Sequence, residues 1–446
     1  MRHRLLVIII VFFLINGCQE KKKYEHSLMD SAALVEANSK LTEVMVHDIF
    51  SPPVASRIYS YCSIAAYEVA ALASPDYQSL TGQLKGFEKK EFDTTKECHF
   101  PLAALVAYYT VAKALVFSED QILQRKEELY ESVLSQGIPD SIFKNSIDLG
   151  EAVAKHVLQY AAKDNYHQSR SFEKYTIKSD LGTWKPTPPA YMEGIEPHWN
   201  KIRPMILDSA DQFIPVPPTA FDTLSESDFF QEAKEVMDAG NTLTDEQSEI
   251  AYFWDCNPYK MNIKGHVMFA EKKITPGGHW MGIATIAAKT LDLDWKETSE
   301  AMVYASIALF DAFIACWDEK YRSILIRPET YINQYMDENW VPLLQTPPFP
   351  EYTSGHSVAS TAASIALTHV LGDNVHFVDS TEVLYGLPVR EFDSFKQAAA
   401  EAAISRFYGG IHYMPAIENG IDQGRLVGNH VISKINTKSK TVANAN

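Results

Sequence analysis

Cysteine is scarce in this 446-residue chain, with five in all. Besides Cys18 there are only Cys62, Cys98, Cys256 and Cys316, dispersed and without any C-x-x-C spacing. Closely paired thiols are the usual sequence mark of a zinc site, so none is expected. Positive charge is also short: 40 Lys and Arg against 57 Asp and Glu leave a formal net charge of −17. A chain this acidic is repelled by phosphate backbones and anionic headgroups, which argues against nucleic acid as a partner and against electrostatic adhesion to membranes. Strand-like alternation is nearly missing, which sets aside sandwiches and barrels. Hydrophobic residues at 46% and charged residues at 22% fit neither a disordered chain nor a multi-span membrane protein.

The N-terminus is distinctive. Arg2 and Arg4 precede an apolar run over residues 5–15, followed by Asn16, Gly17 and Cys18. The run is short for a bilayer span and reads as an export signal over 1–17. The stretch ending in Cys18 resembles a bacterial lipobox, which implies acylation of Cys18 and a lipid-anchored protein facing the periplasm or the cell surface, held at the membrane only through that anchor.

Beyond the leader, apolar residues recur at three- and four-residue spacing, which predicts helices over 31–50, 55–73, 102–116, 119–135 and 140–164. Pro52 and Pro53 stand at one helix start, Pro101 just before another, and Ser118 where an N-cap belongs. Between 167 and 221 the periodicity fades into eight prolines with Trp184, Tyr191, Trp199 and Phe213 among them. Flexible linkers are poor in such aromatics, so this connection is expected to pack across the fold. Further helices are predicted over 225–239, 244–253, 279–291, 295–317, 357–371, 393–407 and 418–435. The expectation is an all-α protein of two packed helical bundles, at 18–165 and 225–440, joined by a proline- and aromatic-rich connection at 166–224.

Three short pieces of the second bundle supply three cations and two histidines. In the first, Lys320 and Arg327 are spaced K-x6-R before Pro328. On a continuous helix they would share a face about 10 Å apart. Pro328 in turn disfavours helical backbone at Arg327. The second piece runs from Phe349 through Ser354-Gly355-His356 into an apolar helix, and is suited to an anion: outward-facing amides, a close approach at Gly355 and a hydroxyl on Ser354. In the third, Gly409 and Gly410 follow Arg406 and interrupt a helix, swinging His412 toward the site that Arg406 faces.

K-x6-R-P, S-G-H and S-R-x5-H in this order resemble the vanadium-dependent haloperoxidases and their relatives, the type 2 phosphatidic acid phosphatases and bacterial class A acid phosphatases. Residues 48–71 also look like the opening of bacterial haloperoxidase-like lipoproteins. The resemblance implies that Lys320, Arg327 and Arg406 balance the charge of bound vanadate or phosphate, while Ser354 and the Gly355 amide donate to its oxygens. His412 matches the histidine that binds vanadium or attacks phosphorus, and His356 matches the acid–base histidine. Trp317 and Phe349 match the aromatic wall of the halide pocket in the chloroperoxidase branch, and Asp255 matches the aspartate that pairs with the second arginine. The implied cofactor is vanadate, with neither haem nor zinc, and the implied substrates are peroxide and halide. Two alternatives stay open: a phosphomonoesterase acting on phosphate esters through a phosphorylated His412, and an inactive oxyanion-binding lipoprotein.

The sequence departs from the family pattern at two places. Thr353 replaces the usual proline before S-G-H, which is expected to loosen that turn. Ala416 stands where many members carry the aspartate that orients the histidine, and Glu418 is the nearest carboxylate downstream.

Overall fold

The computed structural model describes residues 23–439, so Cys18 and the leader expected over 1–17 lie outside the described residues. Five long helices form the first half: α1 (Ala32–Asp48), α2 (Pro52–Ala73), α3 (Phe100–Leu115), α4 (Glu119–Ser135) and α5 (Asp140–Ala161), followed by the single turn α6 (Tyr166–Ser169). Their starts are chemically specified. The Ser51 hydroxyl accepts from the Val54 amide at 3.3 Å ahead of Pro52 and Pro53, and the His99 ring accepts from Leu102 at 3.3 Å ahead of the turn holding Pro101. Ser118 stands at the N-cap position as expected but makes no side-chain capping bond; its amide and hydroxyl go to the Asp48 carboxylate, which ties α4 to the end of α1.

The second half contains α7 (Asp228–Asn241), α8 (Asp245–Phe253), α9 (Pro276–Thr290), α10 (Trp295–Ser323), α11 (Pro328–Tyr335), α12 (Gly355–Leu371), α13 (Phe395–Tyr408) and α14 (Met414–Lys434). Two small antiparallel hairpins interrupt it. In one, β1 (Met261–Lys264) pairs with β2 (Val267–Ala270), Met261 opposite Ala270; in the other, β3 (Phe377–Asp379) pairs with β4 (Arg390–Phe392), Phe377 opposite Phe392. The protein is thus all-helical, as the periodicity predicts. Helix α11 was not foreseen; only eight residues long, it shows too few turns for a pattern to register.

Helix α10 is the central spar. Asp294 opens it with a capping box, accepting from the amides of Lys296 and Glu297 while Glu297 returns to the Asp294 amide. It packs against α2 on one side and α12 and α14 on the other, so it is apolar around its whole circumference. By length and composition it could cross a membrane, yet its apolar stretch is wholly buried inside the protein. One continuous apolar cluster, from Leu34 to Ile435, runs through the helices of both halves and has α10 at its middle.

The proline-rich connection is a fixed strap. Trp184 and Trp199 are fully buried in it and Phe213 packs on the core, whereas Tyr191, expected to pack, is 64% exposed. The strap pairs its backbone with the chain after α10: the Trp184 amide donates to Ile324 at 2.7 Å and the Ile326 amide to Gly182 at 2.9 Å. Farther along, the amides of Met205, Ile206 and Leu207 all donate to the carboxylate of Asp311, at 2.8, 2.8 and 2.9 Å. A buried carboxylate on the spar therefore satisfies three strap amides that no helix or sheet serves.

Candidate active site

The three sequence pieces converge beside the C-terminal end of α10. Lys320 and Arg327 do not share a helix face as their spacing suggests. Helix α10 ends at Ser323, Ile324 turns left-handed at φ 50°, and Arg327 is extended (φ −79°, ψ 151°) at the N-cap of α11. The turn brings both side chains inward, each with no exposed surface.

Arg327 is held by the chain it must face. Its Nε donates to the Phe349 carbonyl at 3.0 Å and its Nη1 to the Ile411 carbonyl at 2.8 Å, with Nη1 also 3.1 Å from Nε2 of His412. Lys320 differs from expectation. Its three ammonium hydrogens are matched by three carbonyls, those of Pro350, Glu351 and Thr353 at 3.0, 3.0 and 2.6 Å. It thus secures the segment before α12 and acts on a bound anion through its field. Burial pushes its pKa down to about 8, and that of Arg327 to about 10.

The segment leading into α12 is tightly determined. Ser354 is the N-cap, its hydroxyl oxygen accepting from the Ser357 amide at 3.4 Å, which leaves the hydroxyl proton free to donate. Thr353 does not loosen the turn: its hydroxyl donates to Gln423 at 2.8 Å while its carbonyl takes Lys320. A Cβ on Gly355 would point between the Trp317 ring, 3.7 Å away, and the Lys320 stem, 3.9 Å away, so glycine keeps that space open beside the helix start.

After α13, Gly410 adopts φ +73° with Trp340 and Pro342 packed against its Cα, and the chain reverses to deliver His412 before α14. The carboxylate that orients His412 is one the sequence did not reveal. Glu351 Oε1 lies 2.7 Å from His412 Nδ1 and also accepts from the Tyr413 amide at 3.0 Å. Ala416 supplies only a backbone carbonyl, to the Ser354 amide, and Glu418 is exposed. Glu351 sits in the motif-bearing piece, but no spacing rule links it to a histidine 61 positions away. With the proton on Nδ1, the Nε2 lone pair is the one turned to Arg327 and the cavity. Burial, reinforced by Arg327, Lys320 and Arg406, holds His412 well below the ordinary histidine range, so the ring is neutral. Burial also pushes the Glu351 carboxyl up to about 7, against the pull of Arg327 and Lys320.

Arg406 projects from the last turn of α13, its Nη1 donating to the Trp254 carbonyl at 2.8 Å. The expected pairing with Asp255 is not formed: Oδ2 of that carboxylate is bonded to Lys273 at 2.8 Å, and its Oδ1 has no hydrogen-bond partner. Asp255 reaches Arg406 only through its charge. His356, in the first turn of α12, is pushed well below the ordinary histidine range by burial and by Arg406.

Gly355, His356, Arg406 and His412 line one small cavity together with Trp317 and Phe349. The two rings lie 5.0 Å apart at 52°, with the Lys320 ammonium 5.2 Å from the Phe349 centroid. Around this space three buried nitrogens have no hydrogen-bond partner: Arg327 Nη2, Arg406 Nε and His356 Nε2. Unpaired buried guanidinium N–H groups cost about 1–3 kcal/mol each, and one on the cavity-lining Arg406 with another on Arg327, which touches His412, call for an acceptor-rich anion. A tetrahedral oxyanion such as vanadate fits that donor set, and no thiolate or haem ligand is needed to hold it.

Comparison with known proteins agrees with the geometry. A family profile, the VCPO second helical-bundle domain, matches residues 300–440, which include all three pieces. No curated protein sequence matches significantly. Among solved structures, a holo-type and an apo-type crystal structure of bacterial vanadium-dependent chloroperoxidase share the fold at TM-score 0.66, with 17% and 18% identity over 87% and 86% of this chain and 93% and 94% of theirs. The crystal structure described as that of the first bacterial vanadium-dependent iodoperoxidase superposes at TM-score 0.88 with 53% identity, covering 92% of this chain and 98% of that one. Identity this high, sustained over nearly the whole of both chains, places the protein in the vanadium-dependent haloperoxidase family.

Proposed function

We propose that the protein is a vanadate-dependent haloperoxidase and that iodide is the halide it oxidises most readily, converting iodide, hydrogen peroxide and a proton into hypoiodous acid and water. The observation that carries this reading is the unpartnered Nε of Arg406 in a cavity that His356 and His412 also line, with Arg327, whose Nη2 is likewise unpartnered, in contact with His412 Nε2. The halide follows from the 53% identical iodoperoxidase. Bound vanadate supplies a hard Lewis acid that makes peroxide oxygen electrophilic toward halide.

The chain's own groups do the rest. His412 offers Nε2 as the one direct ligand, because Glu351 keeps the proton on Nδ1. Arg327 and Arg406 hold the oxyanion's charge, with the Ser354 hydroxyl and Gly355 amide donating beside them. His356, kept neutral by burial, accepts a proton from incoming peroxide and returns it to departing water. Trp317 and Phe349 wall the cavity with apolar surface, which favours a weakly hydrated halide over water.

Apoprotein reconstituted with orthovanadate should oxidise iodide in the presence of peroxide. The Glu351–His412 pair, which would equally support a phosphorylated histidine, gives the phosphomonoesterase reading its one favourable observation. Release of phosphate from an aryl phosphate, blocked by vanadate, together with no halide turnover, would establish that activity instead. Oxyanion binding with neither turnover would mark an inactive lipoprotein.

Glu351→Gln tests the orienting carboxylate. An amide can still accept from Nδ1, but it neither carries charge nor titrates, so vanadate affinity should fall about 10–100-fold. In the wild type, a carboxyl raised to about 7 loses its charge below that pH and with it much of its hold on the Nδ1 proton. Vanadate affinity of the wild type should therefore decline as pH falls through 7, and that of Glu351→Gln should be flat across the same window. Titrating apoprotein with vanadate at several pH values measures both.

Lipid anchorage through Cys18 belongs to the same proposal. Cys18→Ser is expected to move the protein from the membrane fraction to the soluble exported fraction; an unchanged distribution would refute the anchor.

A further inference from the structure

Behind the oxyanion cavity three buried side chains from distant parts of the chain meet around one point. Cys256 follows α8, His279 stands in the first turn of α9, and Glu382 lies between β3 and β4. All three are at most 2% exposed. Cys256 Sγ is 3.4 Å from Nδ1 of His279, and Glu382 Oε1 is 3.4 Å from the same Nδ1 and 3.8 Å from the sulfur. A tetrahedral ion bonded to sulfur at about 2.3 Å and to nitrogen and oxygen at about 2.0–2.2 Å sets such edges at roughly 3.3–3.6 Å; the two edges to Nδ1 fall in that range, and the sulfur–oxygen edge is slightly longer.

The far side of the imidazole supports the same conclusion. Nε2 of His279 lies 2.8 Å from Asp379 Oδ2, and Asp379 is itself fixed by the Thr381 amide and hydroxyl at 3.0 and 2.7 Å. That arrangement backs Nε2 with a carboxylate and turns the Nδ1 edge of the ring toward Cys256 and Glu382, as in metal-binding histidines. The ring's orientation is further set by stacking on Trp254 at 4.3 Å and 16°. Were the cluster only an ion pair, the Nδ1 contact to Glu382 should approach the 2.7–2.9 Å typical of charge-assisted bonds, as the Nε2 contact does. It stays at 3.4 Å, the length of a ligand-to-ligand edge in a tetrahedral site.

We propose that Cys256, His279 and Glu382 bind one zinc ion, with Asp379 as the positioning residue for His279. A thiolate and a carboxylate balance the charge of the divalent cation, and a three-residue set leaves the fourth position to water. The ion ties residues 254–256 to the loop after β3. Because the Trp254 carbonyl receives Arg406, it also steadies the guanidinium that faces the oxyanion cavity. Cys256 lines that cavity as well, and coordination would keep its sulfur from acting as a free thiol there.

Metal analysis of the full chain, purified without chelators from zinc-supplemented cultures, should find about one zinc per chain. Cys256→Ala and Glu382→Gln should each lower that to roughly a tenth or less, while Cys98→Ser, remote from the cluster, should retain it. Should the variants fail to fold, cobalt carries the test: wild-type protein produced with cobalt in place of zinc should show a thiolate-to-cobalt charge-transfer band and intense tetrahedral ligand-field bands. Wild-type protein that holds no zinc and shows no such cobalt spectrum overturns the proposal, as does zinc retained by folded Cys256→Ala. Neither readout depends on halide oxidation, so the outcome is independent of the peroxidase reading.

Discussion

Replacing His412 by alanine is expected to lower vanadate-dependent iodide oxidation about a thousand-fold or more, leaving the fold intact. The loss should be this large because the imidazole is the proposed direct ligand of the oxyanion, and its environment is arranged to keep its Nε2 lone pair available. Burial and three cations keep the ring neutral, and Glu351 fixes its proton on the far nitrogen. Alanine leaves Arg327 and Arg406 in place, so weak oxyanion binding should survive while turnover does not. Direct vanadate binding measured beside iodide oxidation checks the distinction. A variant that keeps more than a tenth of the activity would remove His412 from the mechanism. Thermal stability should fall modestly, since the buried Glu351 carboxyl loses its Nδ1 partner while keeping the Tyr413 amide.

The second large effect is on stability and lies away from the cavity. Asp311→Ala is expected to destabilise the protein by at least about 3 kcal/mol, because the amides of Met205, Ile206 and Leu207 lose their common acceptor inside the core and each unpaired buried donor costs about 1–3 kcal/mol. Asp311 has no exposed surface, and water cannot readily replace the carboxylate. Burial pushes the Asp311 carboxyl up to about 6, so the folded state holds this proton more tightly than the unfolded chain does. The Asp311 contribution to stability should therefore weaken as pH rises from about 4 toward 6 and level off above. Asp311→Asn, which keeps an acceptor oxygen and does not titrate, should recover part of the loss and remove that pH dependence. Denaturant midpoints of the three proteins at several pH values measure both effects. Equal midpoints for wild type and Asp311→Ala would mean that the strap is not fastened by this carboxylate.

The orthogonal roles of these residues explain which features were legible in advance. Helices of four or more turns announce themselves, because burial on one face imposes a periodicity that needs only local sequence. Helix α4 was placed at its observed bounds, and most others within a few residues. The short α11 and both hairpins carry too few residues for a pattern. Lys320 and Arg327 show the hazard of extending periodicity through a break: Ile324 in a left-handed conformation ends the helix between them. The motif residues were found because the chemistry of holding an oxyanion fixes their types. Their partners were not. Glu351 in place of the expected downstream aspartate, Lys273 bonded to Asp255, and three carbonyls around Lys320 all depend on which backbone surfaces come together in space.

The order of residues along the chain determined an all-helical protein with an acidic surface charge balance and a set of cations and histidines suited to a tetrahedral anion, since propensity, periodicity and side-chain chemistry are local properties. Only the tertiary structure decided which carboxylate orients His412, that the strap is bolted to Asp311, and that Cys256, His279 and Glu382 share a centre. Those arrangements arise from contacts between segments tens to hundreds of residues apart, and packing, not spacing, sets them.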